Sequence, residues 1–312
     1  MRPVSHTRGL LEVAVASVLW GTGGLAVQLV REVEPMSPVT ISAWRMALAA
    51  AVLLVALLLL RRGGELVDLA RTQPARLLAV GVGTAAYQGF YFVSVTQVGV
   101  AVSTVVSLGL APVLLTVAEA VRHRRAPATG RLVVLAAALV GLLLVSVAGH
   151  ASSTGPDPVA GVLLAVASGT TYALTTVAGG SISRTSSPLA LTTGMTLVGA
   201  AVLLPCLALV DGPRTTGDPV ALAWLGYLGV LTMALAYVLL YSGLRVVAPS
   251  TAVTASLVEP VTAAVVAAVV LQEALGPAAG VGILLVLGAV PGLGRPSAAA
   301  GPVLPEPGTT GT

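Results

Sequence analysis

The chain has 312 residues, 56% of them hydrophobic and only 9% charged, with a mean hydropathy of +0.98. Ordinary soluble chains carry about 25% charged residues, so this composition excludes a soluble globular domain and points to the bilayer. The net charge of +4 comes entirely from arginine, and no basic run sits on a soluble domain, which excludes a nucleic-acid partner.

A spanning helix needs about 20 mostly apolar residues. On that rule ten spans follow in chain order, at 9–30, 38–60, 75–97, 99–121, 130–149, 158–179, 188–210, 220–242, 250–272 and 277–294. Only short hinges, near 98 and 248, separate spans three from four and eight from nine. The first span looks like a signal peptide at a glance, but it is longer than the 7–15-residue signal core and takes part in the repeat below. Cys206 is alone in an apolar run, which implies neither a disulfide framework nor a metal site. Residues 296–312, rich in Pro, Gly, Ala and Thr, read as a disordered cytoplasmic tail.

Thirteen of the sixteen arginines fall in segments on the side of the N-terminus. The opposite loops hold only Arg31 and Arg214, and Arg45 lies within span two. Such a bias marks the cytoplasmic face, so both termini are expected in the cytoplasm of a bacterial-type plasma membrane.

The two halves match in order at nearly one offset. Ala14–Val15–Ala16–Ser17 recurs as Ala165–Val166–Ala167–Ser168, and Ser37–Pro38 as Ser187–Pro188. Thr84 corresponds to Thr232, Ser94 to Ser242, Val105 to Val253 and Pro112 to Pro260. This divides the chain into repeats at 1–149 and 150–295. Five spans per repeat is an odd number, so the repeats insert in opposite senses. Inverted repeats place a solute site near the midplane and work by rocking one half against the other. The expected fold is therefore all-α integral membrane, with ten helices in two inverted five-helix repeats.

Span nine, Ser250 to Glu273, carries Glu259 directly before Pro260. A carboxylate at mid-membrane depth costs about 2.5–3.5 kcal/mol on insertion scales, so such groups usually face a cavity. Proline removes a backbone donor and bends the helix there. Ser256, Glu259 and Thr262 share one helix face. The equivalent face of span four carries Thr104, Ser107 and Ala111, and Pro112 supplies the matching kink. Ala111 stands where Glu259 stands, so the site is asymmetric in charge. One titratable group suits proton exchange; a pair with a solute amine, or a structural pairing, is the alternative. Arg45 lies about 12 Å into span two at 1.5 Å per residue and needs an anion, a polar lining or water. A solute carboxylate and a structural partner are both open. Glu12 and Glu119 sit near the cytoplasmic ends of their spans, where interfacial pairing is expected.

The chain has eleven aromatic residues, and eight lie in spans three and eight. Tyr87 and Tyr91 form one stripe, Tyr237 and Tyr241 another, with Trp20 and Tyr172 in spans one and six. Lipid-facing belts would scatter aromatics over all helix ends; this concentration fits cavity walls, although one stripe could serve packing. Trp224 and Tyr227 are expected at the interface. Gly21, Gly23 and Gly24 permit close helix approach. Gly276/Gly280 and Gly288/Gly292 have the GxxxG spacing of helix contacts in lipid, which allows a homodimer through span ten.

Leu19–Trp20–Gly21, Arg45, the stretch from Tyr87 to Pro112, Ser256 to Pro260, and Glu273 together resemble the EamA-type members of the drug/metabolite transporter superfamily, over residues 9–294. The resemblance implies two inverted five-helix bundles and movement of small metabolites, often outward. One departure is that thirteen residues past Pro112, where Glu273 would have its counterpart, stands Arg125.

The function expected is a secondary transporter, an exporter of small metabolites such as amino acids or amphipathic solutes, with no cofactor and no metal. The solute-binding set is Trp20, Arg45, Tyr87, Tyr91, Ser107, Tyr172, Tyr237, Tyr241, Ser256 and Glu259. No GxxxxGK[ST] stretch or lysine is present, so ATP-driven transport is excluded. The alternatives are an intramembrane enzyme on lipid-like substrates, or a non-transporting scaffold. His6, His123 and His150 lie outside or at the edges of spans, and HExxH and GxSxG patterns are absent, which argues against the enzyme.

Overall fold

The computed structural model of the chain describes residues 5–148, 157–209, 212–270 and 276–293. The tail expected at 296–312, and Glu273, lie outside them. Among the described residues the chain is helical, in the order α1 His6–Val33, α2 Pro38–Leu59, α3 Gly63–Thr72, α4 Pro74–His123, α5 Thr129–Ala148, α6 Pro158–Ser183 and α7 Pro188–Cys206. Then follow α8 Pro219–Tyr227, a π-helix at Leu228–Leu235, α9 Ala236–Gly243, α10 Pro249–Ala255, α11 Val258–Val270 and α12 Pro277–Leu293. Eight helical segments among them are long and apolar enough to cross a membrane, and Pro277–Val290 is a shorter apolar helix. Large apolar side chains such as Leu59, Val121, Leu163 and Leu284 stay exposed on the outside, as a lipid-facing surface requires.

Helix starts follow one chemical rule. Proline opens α2, α4, α6, α7, α8, α10 and α12, at the position where its missing N–H has no partner to lose. Ser37, Asp157, Ser187 and Asp218 stand just before, and their side chains accept from the free amides of the first turn. α2 and α4 close with arginine in the left-handed region, Arg61 at φ 54° and Arg124 at φ 51°. In the first closure Arg62 N–H donates to Leu57 O at 2.8 Å and Arg61 N–H to Leu58 O at 3.0 Å. Glycine usually holds that place; arginine sets a positive charge at the negative end of the helix dipole.

Three long helices are interrupted, each for a local reason. α4 breaks at Gly99, whose φ 78° and ψ 167° only glycine adopts readily, so spans three and four are joined by a single residue. α10 and α11 are parted by a turn at Ser256–Leu257. Pro260 has no N–H to give the Ser256 carbonyl, and Glu259 N–H takes that carbonyl instead, at 2.9 Å. α8 passes into α9 through the π-helical stretch. α4, by contrast, stays helical through Pro112. The segment between spans two and three contains α3. Its Leu69 is buried and its Leu66 packs against Gly194 of α7. Arg62 pairs with Glu65 at 2.7 Å and donates to Ser187 at 3.2 Å; its hydrogen bond holds the Glu65 carboxyl below the usual carboxylate range.

Backbones approach most closely where glycine faces another helix. A Cβ on Gly9 would lie 2.4 Å from Val246, one on Gly21 would lie 2.5 Å from Glu259 O, and one on Gly229 2.6 Å from Leu48 Cβ. These contacts tie α1, α2, α8–α9 and α10–α11 into one unit. In the same way Gly81 meets Val198, Gly83 meets Thr175, Gly161 meets Val98, and Gly169 meets Ser107, tying both arms of α4 to α6 and α7. Each unit thus takes helices from both sequence repeats, and the two meet along α2 and α7, where a Cβ on Gly199 would strike Met46 Sδ. α5 and α12 cross each other, Gly141 against Gly282, where a Cβ on either would lie 2.7 Å from the other's carbonyl oxygen, and pack on α4 and α11 through Leu142, Val258 and Val261. The glycines with GxxxG spacing, Gly276, Gly280 and Gly288, have nothing within 4 Å of a Cβ within the chain.

Candidate solute-binding site

Arg45 projects from α2 toward the π-helix. Its Nη2 donates to Thr232 Oγ1 at 3.2 Å, and that hydroxyl in turn donates to Leu228 O at 2.7 Å. Nε is out of solvent and has no hydrogen-bond partner, while the residue as a whole is half-buried. Gly229 lets the π-helix sit against α2 beside it, because a Cβ there would press on Leu48 and come within 3.4 Å of Arg45 O.

Glu259 lies in the first turn of α11, eleventh along the stretch Pro249–Val270, and is also half-buried. Among the described residues its carboxylate has no ion pair within 4 Å and accepts no hydrogen bond. Arg45 nonetheless lies near enough to feel its charge. Two opposite charges inside the spans therefore face one region without closing on each other.

Aromatic rings fill the space between. Tyr87 and Tyr237 share a hydrogen bond at 2.8 Å between their hydroxyls, joining the α4–α6–α7 unit to the other. Trp20 meets Tyr237 edge-on at 5.1 Å between ring centres, and Tyr87 meets Tyr172 at 5.5 Å. Tyr91 bonds Thr104 across the Gly99 break at 2.9 Å. Ser256, buried, donates to Ala252 O at 3.0 Å and has its hydroxyl on the side of Tyr172.

Eight residues named from the sequence thus come together: Trp20, Arg45, Tyr87, Tyr91, Tyr172, Tyr237, Ser256 and Glu259. Two are held in helix packing. Tyr241 meets Tyr237 at 6.0 Å between ring centres but is 1% exposed, its hydroxyl donating to Met195 Sδ at 3.2 Å and its ring pressed on Gly179. Ser107 donates to Ala165 O at 3.1 Å and packs α4 on α6. Both are helix-packing residues here. Glu12 and Glu119 pair with Arg8 and Arg131 near their helix ends, as expected. Thr232, known from the sequence only as the match of Thr84, joins the site as the partner of Arg45. Gly21, one of three glycines expected to permit close helix approach, is the one that meets α11.

The second half of α1 borders an open cleft of about 490 Å³, lined by Gly24, Val27, Gln28, Arg31, Glu32 and Pro35. At the offset of 151 residues that relates Ala14 to Ala165, the matching positions in α6 are Thr175, Gly179, Ile182 and Ser183. All of these are buried, whereas Gly24, Gln28, Arg31 and Glu32 are exposed.

A polytopic helical membrane protein with charged and aromatic groups converging inside its spans is a transporter architecture, and sequence comparison gives the family. The chain matches the EamA-like transporter family over residues 7–147 and 159–294, and it belongs to that family. It is 31% identical over 282 residues to "Uncharacterized transporter YwfM" of Bacillus subtilis (strain 168), covering 89% of this chain and 90% of that protein. A solved crystal structure 21% identical shares the fold, with a TM-score of 0.77 over 92% of this chain and 96% of its own.

Proposed function

We propose that this protein is a secondary transporter that exports small amphipathic metabolites, amino acids and related solutes among them, by alternating access. The observation that carries this reading is the pair Arg45 and Glu259, unpaired inside the spans where two packed units meet. An intramembrane charge without a structural partner marks a solute or ion path.

The proposal takes the chain as ten crossings in two inverted repeats with both termini cytoplasmic. Counting α4 as two crossings about Gly99 and α12 as the last supports the number. The reciprocal contact of Gly141 with Gly282 is what a local two-fold between repeats would produce. The exposed second half of α1 and the buried matching face of α6 support a state open on the outer side and shut on the inner one. Glu259 is the group proposed to exchange a proton.

Accessibility labelling tests this frame. With Cys206 replaced by alanine, single cysteines at Arg61 and Arg184 should both react from the cytoplasmic side, and one at Gln28 from outside. Labels at 61 and 184 on opposite faces would overturn the inverted arrangement. Added solute should change the rate at Gln28, and flux in proteoliposomes should follow the same solutes.

A further inference from the structure

We propose that Arg131, bonded at once to Glu119 of α4 and Ser250 of α10, is a latch that holds the cytoplasmic mouth of the path shut. Having no counterpart at the outer end, it sets the empty carrier to face outward. This rests on the transport reading above and deepens it by naming what keeps the inner side closed.

Arg131 stands near the start of α5. Its Nη2 donates to Glu119 Oε2 at 2.8 Å and also to Ser250 Oγ. Glu119 lies one turn before the end of α4, and Ser250 in the first turn of α10. One guanidinium therefore ties three helices, and through α4 and α10 it ties the two packed units. The pairs Arg8–Glu12 and Arg62–Glu65 close within a single helical turn and tie nothing together. The side chains of Arg131 and Glu119 are 36% and 27% exposed, and an ion pair so wet stabilises little by itself. Ser250 is different, being fully buried, and among the described residues Arg131 is the hydroxyl's one hydrogen-bond partner. A buried polar group that loses its partner is costly, so the grip on α10 lies in this bond.

The latch underlies an apolar layer. Val253, midway between Ser250 and Ser256 on the chain, packs with Ala111 and Leu115 of α4 and with Tyr172 and Ala173 of α6, all of them buried. Tyr172 also borders the solute site, so this layer separates the site from the end of the helices where Arg131 sits. α10 cannot leave α4 there without breaking the bond to Ser250. At the offset of 148 residues that relates Pro112 to Pro260, Ser250 corresponds to Val102 and Glu119 to Ala267. Neither side chain can accept from a guanidinium, so the repeat carries no matching tie at the other end. A bond present in one of two states shifts their populations toward that state.

The test is thiol labelling of the full chain in detergent, with Cys206 replaced by alanine. Val253→Cys and Gln28→Cys serve as reporters, each in its own background, treated with a methanethiosulfonate reagent. Ser250→Ala, which leaves the Arg131–Glu119 pair in place, should speed labelling at 253 by about threefold or more and leave that at 28 unchanged or slower. Arg131→Gln should do the same. The two changes together should give no more than the larger single effect, because both remove one bond. If Ser250→Ala speeds labelling by the same factor when Arg131→Gln is already present, the latch is overturned. An unchanged rate at 253 has the same meaning, and so does faster labelling at both reporters, which is general loosening. These rates are read without solute. Should the latch fail while solute still changes labelling at Gln28 and flux persists, transport stands; loss of both solute effects removes the transport reading and the latch's role with it.

Discussion

Glu259 and Gly21 meet back to back, and each makes a separable prediction. Glu259→Gln keeps size and removes charge. Since an unpaired carboxylate at mid-depth costs about 2.5–3.5 kcal/mol, the variant should unfold at the same or a higher temperature, while flux in proteoliposomes loses its dependence on a pH gradient. An unchanged pH dependence would remove Glu259 from the coupling role. A Cβ on Gly21 would lie 2.5 Å from both Glu259 O and Thr262 Cβ, atoms rooted in α11 that cannot turn aside. Gly21→Ala should therefore destabilise by about 1–3 kcal/mol. Gly24→Ala, with nothing within 4 Å, should stabilise by up to about 1 kcal/mol through helix propensity. Thermal unfolding in one detergent checks the opposite signs. The charged members of the site were legible in the sequence because a charge in an apolar run stands out against its neighbours. The role of Thr232 was not, and Gly21 was legible only as one of three glycines allowing close approach: such a residue acquires its role from the helix opposite it, which linear spacing does not supply.

Among the elements, the joint at Gly99 is the least forgiving. Any side chain there must hold φ 78° and ψ 167°, so Gly99→Ala should cost about 1–3 kcal/mol. It should also disturb the Tyr91–Thr104 hydrogen bond across the break, read as a lower unfolding temperature together with weaker solute binding. Helix beginnings could be read in advance, because Ser–Pro and Asp–Pro pairs act through the first turn alone. The hinge near 98 was legible for the same reason, a local glycine between two apolar runs. α3 was hidden by its arginines and glutamate, which look like loop composition until Leu66 and Leu69 find α7. The π-helical stretch was hidden because Leu228–Leu235 is apolar nearly all round and shows no period.

At the scale of the molecule, the repeat was visible as an ordered offset, while the interleaving of helices between the two packed units was not. Matching a helix to its counterpart says nothing about its neighbours. The interleaving matters for motion, since the surfaces between the units run along α2 and α7 and along α6 or α7 and α9. A Cβ on Gly180 would stand 3.7 Å from Leu244 Cβ, inside the range a disulfide needs. Gly180→Cys with Leu244→Cys, in a background lacking Cys206, should form a cross-link that stops flux on oxidation and releases it on reduction. Full flux in the oxidised form would mean that these helices do not separate during the cycle.

Arg45 and Glu259 both belong to the unit built on α1, α2, α8–α9 and α10–α11, while the facing unit contributes only neutral rings. When Glu259 is ionised, that unit carries no net charge at mid-depth, and an empty carrier can reorient without sensing the resting potential. Once Glu259 takes up a proton, the uncompensated guanidinium feels up to about 2.3 kcal/mol per 100 mV for a full traverse. The return step of the Glu259→Gln variant should then depend on voltage where that of the parent at alkaline pH does not, a difference that capacitance recordings on supported membranes would register.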